Sequence, residues 1–426
     1  MEDIILKKFL YEADIYLPDF NKVDGSRWAT VACDQFTSEK QYWESAKNYV
    51  GDCPSALNII LPEAYLSEAQ QRIGKINSTM EEYLGDVLLC HKDTMIYLER
   101  VQSDGKVRRG IIGAVDLEEY DYSKGSESLI RATEGTVLER IPPRVAIRRG
   151  AEIELPHIMI LIDDEQRSVI EPIAAKAAEL ELAYDFDLML GGGHATGRFI
   201  PASEIEKINA ALGELATREQ MIQKYGVNCS PLLFAMGDGN HSLATAKALY
   251  EEIKSEIGED AAKSHPARYA LCEIVNLHDD ALEFEPIYRV VFGVEPEEFI
   301  SELTSYARNL CGAEETEQRI EYVYGDTRGE IVIKTPECQL TVGSVQQFID
   351  GYIKSHEGVE VDYIHGLNST YALAQGKGAV GLTFDGMTKN QLFRTVICDG
   401  ALPRKTFSMG HAEDKRYYIE CRKIKK

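Results

Sequence analysis

The stretch Leu232-Leu-Phe-Ala-Met-Gly-Asp-Gly-Asn-His-Ser-Leu-Ala-Thr-Ala-Lys247 constrains this chain more than any other. Its apolar run, 232–236, predicts a buried strand that stops at Gly237-Asp238-Gly239-Asn240-His241-Ser242. Beyond the turn, Leu243, Ala246, Leu249, Ile253 and Ile257 recur at helical spacing. A strand therefore passes through two glycines into the positive end of a helix. Such a junction offers backbone N–H groups and a favourable dipole to an anion, most often a phosphate. Gly239 lets a ligand approach the backbone, and Asp238, Asn240 and His241 place an acid, an amide and an imidazole beside it. Asp238, Asn240 or Ser242 is expected to cap the helix. Capping leaves His241 on the same turn without an explanation.

The rest of the chain alternates short strands and helices. Ser38-Glu-Lys-Gln41 is a capping-box pattern opening a helix with Trp43, Ala46 and Val50 on one face. Asp34 lies in the loop before it, where an aspartate serves a turn more often than a reaction. Residues 58–61 predict a strand stopped by Pro62, and 63–83 a helix. A hairpin is expected over 94–115, on the turn Ser103-Asp-Gly-Lys106. Pro142-Pro143 is expected to forbid a helix continuing there. Arg131, Arg140, Arg144, Arg148 and Arg149 gather around it, either for an anionic substrate or for nearby carboxylates. Residues 157–162 predict a buried strand and 167–182 a helix. Residues 185–200 predict a hairpin turning on Gly191-Gly-Gly193, with His194 at its tip as a candidate ligand. A helix over 203–225 then leads to the opening motif. Strands are expected at 269–277 and 286–292, and a boundary near Val294. The chain is thus divided into 1–293 and 294–426. The second part alternates helices and strands. It carries His365-Gly366 before a short helix, and a tail in which Arg404, Lys405 and Thr406 suit an anion.

A formal charge of −24 would repel nucleic acid, and no local basic face offsets it. No apolar run approaches the roughly 20 residues that cross a bilayer, and the acidic start of the chain is unlike a secretory signal. Nine cysteines, none in a Cys-x-x-Cys pair, argue against a zinc ribbon or a disulfide framework and for a reducing compartment. Cys90, Cys272 and Cys398 are expected to be small core residues. These features together predict a cytoplasmic protein acting on small molecules, without nucleic-acid or membrane partners. They leave room for a homodimer.

Five motifs occur in order. Asp238-Gly239-Asn240-His241-Ser242-Leu243-Ala244-Thr245-Ala246 aligns without a gap to Asp-Gly-His-His-Arg-Tyr-x-Thr-Ala. Glu134, Thr136 and Arg144 match a His-Glu-x-Thr followed by a distant Arg. Cys33-Asp34 falls on a Pro-Tyr-Asp-Val segment, His365-Gly366 on a late His-Gly, and Leu402-Pro403-Arg404-Lys405-Thr406 on Met-Pro-x-Lys-Ser/Thr. In these the chain resembles, over almost its whole length, the bacterial and archaeal family known as domain of unknown function ten-fifteen. Through its turn that family is similar to the ParB-like superfamily, which includes CTP-binding partition proteins, sulfiredoxin and kinases of free serine. Two positions depart from the pattern. Ser242 stands where an arginine is usual, leaving Lys247 or an arginine near Arg144 to replace it, and Asn240 stands for the first histidine.

The resemblance implies a mixed α/β (α+β) fold: a ParB-like core with mixed sheets and an additional C-terminal α/β region. It also implies a nucleotide-dependent phosphotransferase acting on a small hydroxyl compound such as serine, using ATP or ADP with Mg²⁺. In that scheme Gly239, Asn240, Ser242, Thr245, Thr136, Arg144, Lys405 and Thr406 hold phosphates. Asp238 or Glu134 takes a proton or holds Mg²⁺, and His241 contacts phosphate. A non-catalytic sensor of a nucleotide or phosphometabolite is the alternative. A metal-dependent hydrolase using His194, His241, His365 and Asp238 is a third reading, weakened by the lack of ligand-motif spacing.

Overall fold

A computed structural model describes residues 7–135, 138–313, 316–417 and 419–426. It is a mixed α/β structure in two compact units, one comprising residues up to Leu282 together with Gly410–Lys426, the other Glu283–Met409. The strand Phe284–Phe292 thus falls in the second unit, and the last residues of the chain return to the first.

The first unit is built on a nine-stranded sheet. Its order is Tyr120–Asp121, Ile130–Arg131, Phe234–Asp238, Met159–Ile162, Tyr269–Asn276, Val107–Asp116, Ile96–Val101, His194–Phe199 and Leu182–Asp187. Successive side chains of a strand point to opposite faces, and here both faces are apolar. Tyr97, Ile111, Ala270, Cys272 and Ile274 enter one core, whereas Ile96, Leu98, Ile112, Ala114 and Leu271 enter another. The helices Ala202–Leu215 and Asn240–Ile257 cover the first face through Ile205, Ile208, Leu212, Leu243 and Ala246. The other face carries Trp28, Trp43, the helix Ala69–Asp86 and a small antiparallel sheet. That sheet runs Leu88–Thr94, Ala13–Pro18, Cys421–Lys423, Ile153–Glu154. The second unit is an antiparallel sheet in the order Thr327–Ile333, Gln318–Tyr324, Ala379–Thr383, Phe284–Phe292, Glu360–His365. Phe299, Leu303, Val345 and Ile349 on two of its helices are buried. Among the described residues no helix is long and apolar enough to cross a membrane.

Several local expectations change. Pro142 and Pro143 begin a helix, Ile141–Arg149, rather than end one. In the first turn the missing N–H costs nothing and the fixed φ already suits a helix. Residues 58–61 form no strand; a 3-10 turn, Ala56–Asn58, precedes them, and Ile59, Ile60 and Leu61 are buried without pairing. An apolar run reports burial, which need not be a strand. Over 167–182 only Glu171–Ala174 and the turn Ala177–Glu179 are helical. There the Asp164 carboxylate takes the N–H groups of Ser168 and Val169, so the backbone is used locally before a helix can start. The helix expected over 203–225 is two, Ala202–Leu215 and Arg218–Tyr225, because the Thr217 hydroxyl caps the second. Cys272 is buried, but Cys90 and Cys398 are exposed, the former on an edge strand.

Candidate functional site

The junction forms as its residues demand. The strand Phe234–Asp238 ends in a register shift between Met236 and Asp238, opposite Ile160 and Met159. One residue of slip at Gly237 turns the Asp238 side chain out of the ladder. Gly239 follows with φ of 82°, and a Cβ there would stand 3.0 Å from the Ile158 Cα. Conformation and space both require glycine. The helix Asn240–Ile257 has Gly239 as its N-cap and no side-chain cap, contrary to the capping expected of Asp238, Asn240 or Ser242. Asp238 instead accepts from the adjacent Gly239 N–H, at 2.8 Å. The Asn240 side-chain oxygen is buried without a hydrogen bond. Thr245 is buried, and its hydroxyl donates to the His241 carbonyl at 2.7 Å. Lys247 pairs with Glu251 at 2.7 Å on its own helix.

Neighbouring strands deliver further groups to the same sheet edge. Ile130–Arg131 runs parallel to Phe234–Asp238 with Ala235 opposite Arg131, and the Thr133 hydroxyl donates to the Met236 carbonyl at 2.8 Å. Glu134, half-buried, follows Thr133 directly. On the other side His157 immediately precedes the strand Met159–Ile162. It is only 8% exposed, and its Nε2 makes no hydrogen bond. The nearest carboxylate oxygen, on Asp34, lies 3.9 Å away.

Residues from both ends of the chain close over this edge. The Lys415 carbonyl accepts from the Ala32 N–H at 2.6 Å and the Tyr417 N–H donates to the Thr30 carbonyl at 2.9 Å, so the returning tail is laced to the loop carrying Asp34. Lys415 Nζ then lies 3.5 Å from Asp238. Burial pushes the Asp34 carboxyl up, but His157, Gln35 and Lys415 outweigh it and hold it below its ordinary value. Asp34 is a carboxylate at neutral pH. Burial pushes the neighbouring Cys33 thiol up to about 12, which removes it as a nucleophile.

A cavity of about 190 Å³ opens beside the junction. One end is polar, with Ser242, Thr245, His157, Arg144, Glu63 and Tyr417. The rest is aliphatic, with Ile59, Leu61, Ile73, Ile76, Met80 and Ile147. The polar end and the apolar wall are those of a small-molecule site.

The protein-family comparison bears on residues 18–365, which match the model described as Protein of unknown function (DUF1015). The chain belongs to that family. Among solved structures, this DUF1015 protein is distantly similar to a free serine kinase in complex with AMP (11% identity, 75% of this chain and 92% of the other, TM-score 0.35). It is also similar to a conserved hypothetical protein from Pyrococcus furiosus (11%, 71% and 91%, TM-score 0.33). A third is SbnI with C-terminal truncation from Staphylococcus aureus (12%, 70% and 82%, TM-score 0.33). No curated protein matches the sequence.

The DUF1015 chain brings Asp34, Glu134, Asp238, Gly239, Asn240, His241, Ser242, Thr245 and Arg144 into the first unit, at or beside one sheet edge. Lys405, Thr406 and His365 belong to the second unit. Lys405 is exposed with φ of 54°, the Thr406 hydroxyl donates to the Pro403 carbonyl at 2.6 Å, and His365 is exposed at a strand end. Thr136 lies outside the described residues. His194 is held at the hairpin tip by Asp187 (2.8 Å) and Asp185 (2.6 Å).

Most of the arginine cluster is matched by acids or carbonyls. Arg144 pairs with Glu63, Arg148 with Glu154, and Arg149 with Glu252, while Arg131 donates to the carbonyls of Ser128 and Ser230. Among the described residues His194, His241 and Asp238 form no metal-ligand group. The metal-ligand group among the described residues is Asp163, Glu165 and His278, where the Lys224 ammonium already sits 2.6 Å from Asp163. Sequence reasoning missed His157, Lys415 and Tyr417. His157 carried only the weak signal of a polar residue heading an apolar strand, and Lys415 is one basic residue in a basic tail.

Proposed function

We propose that this edge holds a nucleotide diphosphate or triphosphate and transfers its terminal phosphoryl group to a small hydroxyl compound, with serine as the first candidate. One observation carries the reading. An uncapped eighteen-residue helix begins where carboxylates (Asp34, Asp238), a cation (Lys415) and the buried His157 meet, beside the polar end of a cavity. Phosphoryl transfer asks for positioned charge more than covalent chemistry. The turn Gly239–Ser242, through the Asn240 and His241 N–H groups, and the Lys415 ammonium bind phosphate oxygens, and Arg144, released from Glu63, adds a second cation. Thr136 would add to these phosphate contacts. The acceptor oxygen attacks the terminal phosphorus as the bond to the leaving phosphate breaks. Its proton passes to Asp238 or Glu134. Both carboxylates offer the hard oxygen donors that suit Mg²⁺, which would neutralise phosphate charge when bound. His241 and His157 orient the phosphate and the acceptor.

A binding-only sensor is the second reading, favoured by Ser242 where the family pattern has arginine. Purified protein incubated with ATP or ADP, Mg²⁺ and serine separates the two. Phosphoserine seen by ³¹P NMR supports the transferase. Tight nucleotide binding with no phosphoserine from either nucleotide supports the sensor.

A further inference from the structure

Resting on the nucleotide reading, we infer that the aliphatic slot takes the base, that the base is adenine, and that Asn77 is the residue that selects it. Asn77 lies on the helix Ala69–Asp86 between Ile73, Ile76 and Met80, which face the same cavity. Its amide is half-buried and makes no side-chain hydrogen bond, whereas the carboxylate that shares the wall is engaged. Glu154 accepts from the Arg422 side chain and the Leu271 N–H. Across from the amide is Gly150, where a Cβ would stand 2.4 Å from the Asn77 nitrogen. Gly150 has no positive φ, so glycine there is explained by space for the amide and not by backbone conformation.

An amide presents one donor and one acceptor side by side. That pattern complements the adjacent amino group and ring nitrogen of adenine, as when Asn or Gln pairs with adenine in a DNA groove. The aliphatic wall gives the flat faces of the ring an apolar bed. Guanine carries a carbonyl at C6 where adenine has its amino group, and its own amino group, at C2, would lie against that wall, where a buried donor without a partner is costly. On the edge formed by the 6-position and N7, hypoxanthine presents two acceptors, so the Asn77 oxygen has no amino group to accept from. The slot therefore discriminates by one side chain, and the phosphates reach the helix start at the polar end of the same cavity.

Isothermal titration of the full chain with ADP and with IDP, each with Mg²⁺, tests this. Wild type should prefer ADP by about tenfold or more, the worth of one or two well-made hydrogen bonds. Asn77→Leu should bring ADP down to the IDP level while leaving IDP nearly unchanged. Gly150→Ala, which pushes on the amide without removing it, should shift ADP the same way. Thermal melting of each variant verifies the fold. An unchanged ADP-to-IDP ratio in a folded Asn77→Leu overturns the inference and leaves the nucleotide reading intact. A wild type that binds neither diphosphate overturns both.

Discussion

Glu154 is the strongest test of how the cavity is held together. Its carboxylate, 4% exposed, ties three remote segments: Arg148 from the helix Ile141–Arg149, Arg422 Nε at 2.8 Å from the last strand, and the Leu271 N–H at 3.0 Å from the central sheet. Glu154→Gln keeps the volume and one oxygen, but it turns an amide nitrogen toward a guanidinium and leaves two arginines without their shared countercharge. Breaking a buried pair in this way costs about 3–5 kcal/mol, against a total stability of about 5–15 kcal/mol for a typical domain. Urea unfolding at pH 7 should show the first unit's transition moved down by that amount, with ligand affinity reduced because Glu154 lines the cavity. The pH dependence follows with a definite sign. Burial pushes the Glu154 carboxyl up, but Arg422 and Arg148 outweigh it and hold it below the ordinary 4.5. Its contribution is complete above that ordinary value and disappears as pH falls through the lower folded one. The gap between wild type and Glu154→Gln should therefore close on acidification. A variant within about 1 kcal/mol of wild type at pH 7, less than one net hydrogen bond to a charged group, would refute the account.

Other expectations concern the junction, the tail and the hairpin. Asp238→Asn and His241→Ala should each abolish phosphoserine formation while circular dichroism and melting stay near wild type, because Asp238 ends a strand and His241 opens a helix, both half-buried and outside the main cores; retained turnover in either removes that residue from the mechanism. Lys415→Ala should weaken ADP binding about tenfold, as expected for one charge-assisted phosphate contact. Lys405→Ala should also weaken it if the second unit contributes to the site, and unchanged binding there assigns Lys405 a structural role. His194 tests the hairpin: burial lowers its pKa, but the Asp187 and Asp185 carboxylates outweigh this and raise it above 6.5. The stabilisation is present in full below that ordinary value and is lost as pH rises through the raised one. An NMR titration placing His194 at or below 6.5 contradicts this.

Local chemistry was written in the sequence wherever neighbours along the chain decide the outcome. The apolar run, the glycine pair and the three-four spacing after residue 242 specify the strand, turn and helix within a few positions of where they form. The Gly191-Gly-Gly193 hairpin and the strands Val107–Asp116 and Tyr269–Asn276 were legible for the same reason: side chains alternate or repeat with the period of the element. The prolines at 142 and 143 misled because a proline's effect depends on whether a helix is starting or already running, which its neighbours did not reveal.

What only the tertiary structure decided is who meets whom. A cluster of arginines looks like an anion site until Glu63, Glu154 and Glu252 arrive from elsewhere to neutralise it. Lys415 beside Asp238, and His157 facing Asp34, join residues more than a hundred positions apart. Such pairings leave no periodic trace, because a charge is satisfied by any opposite charge within a few ångströms and the chain places no limit on how far along it that partner sits.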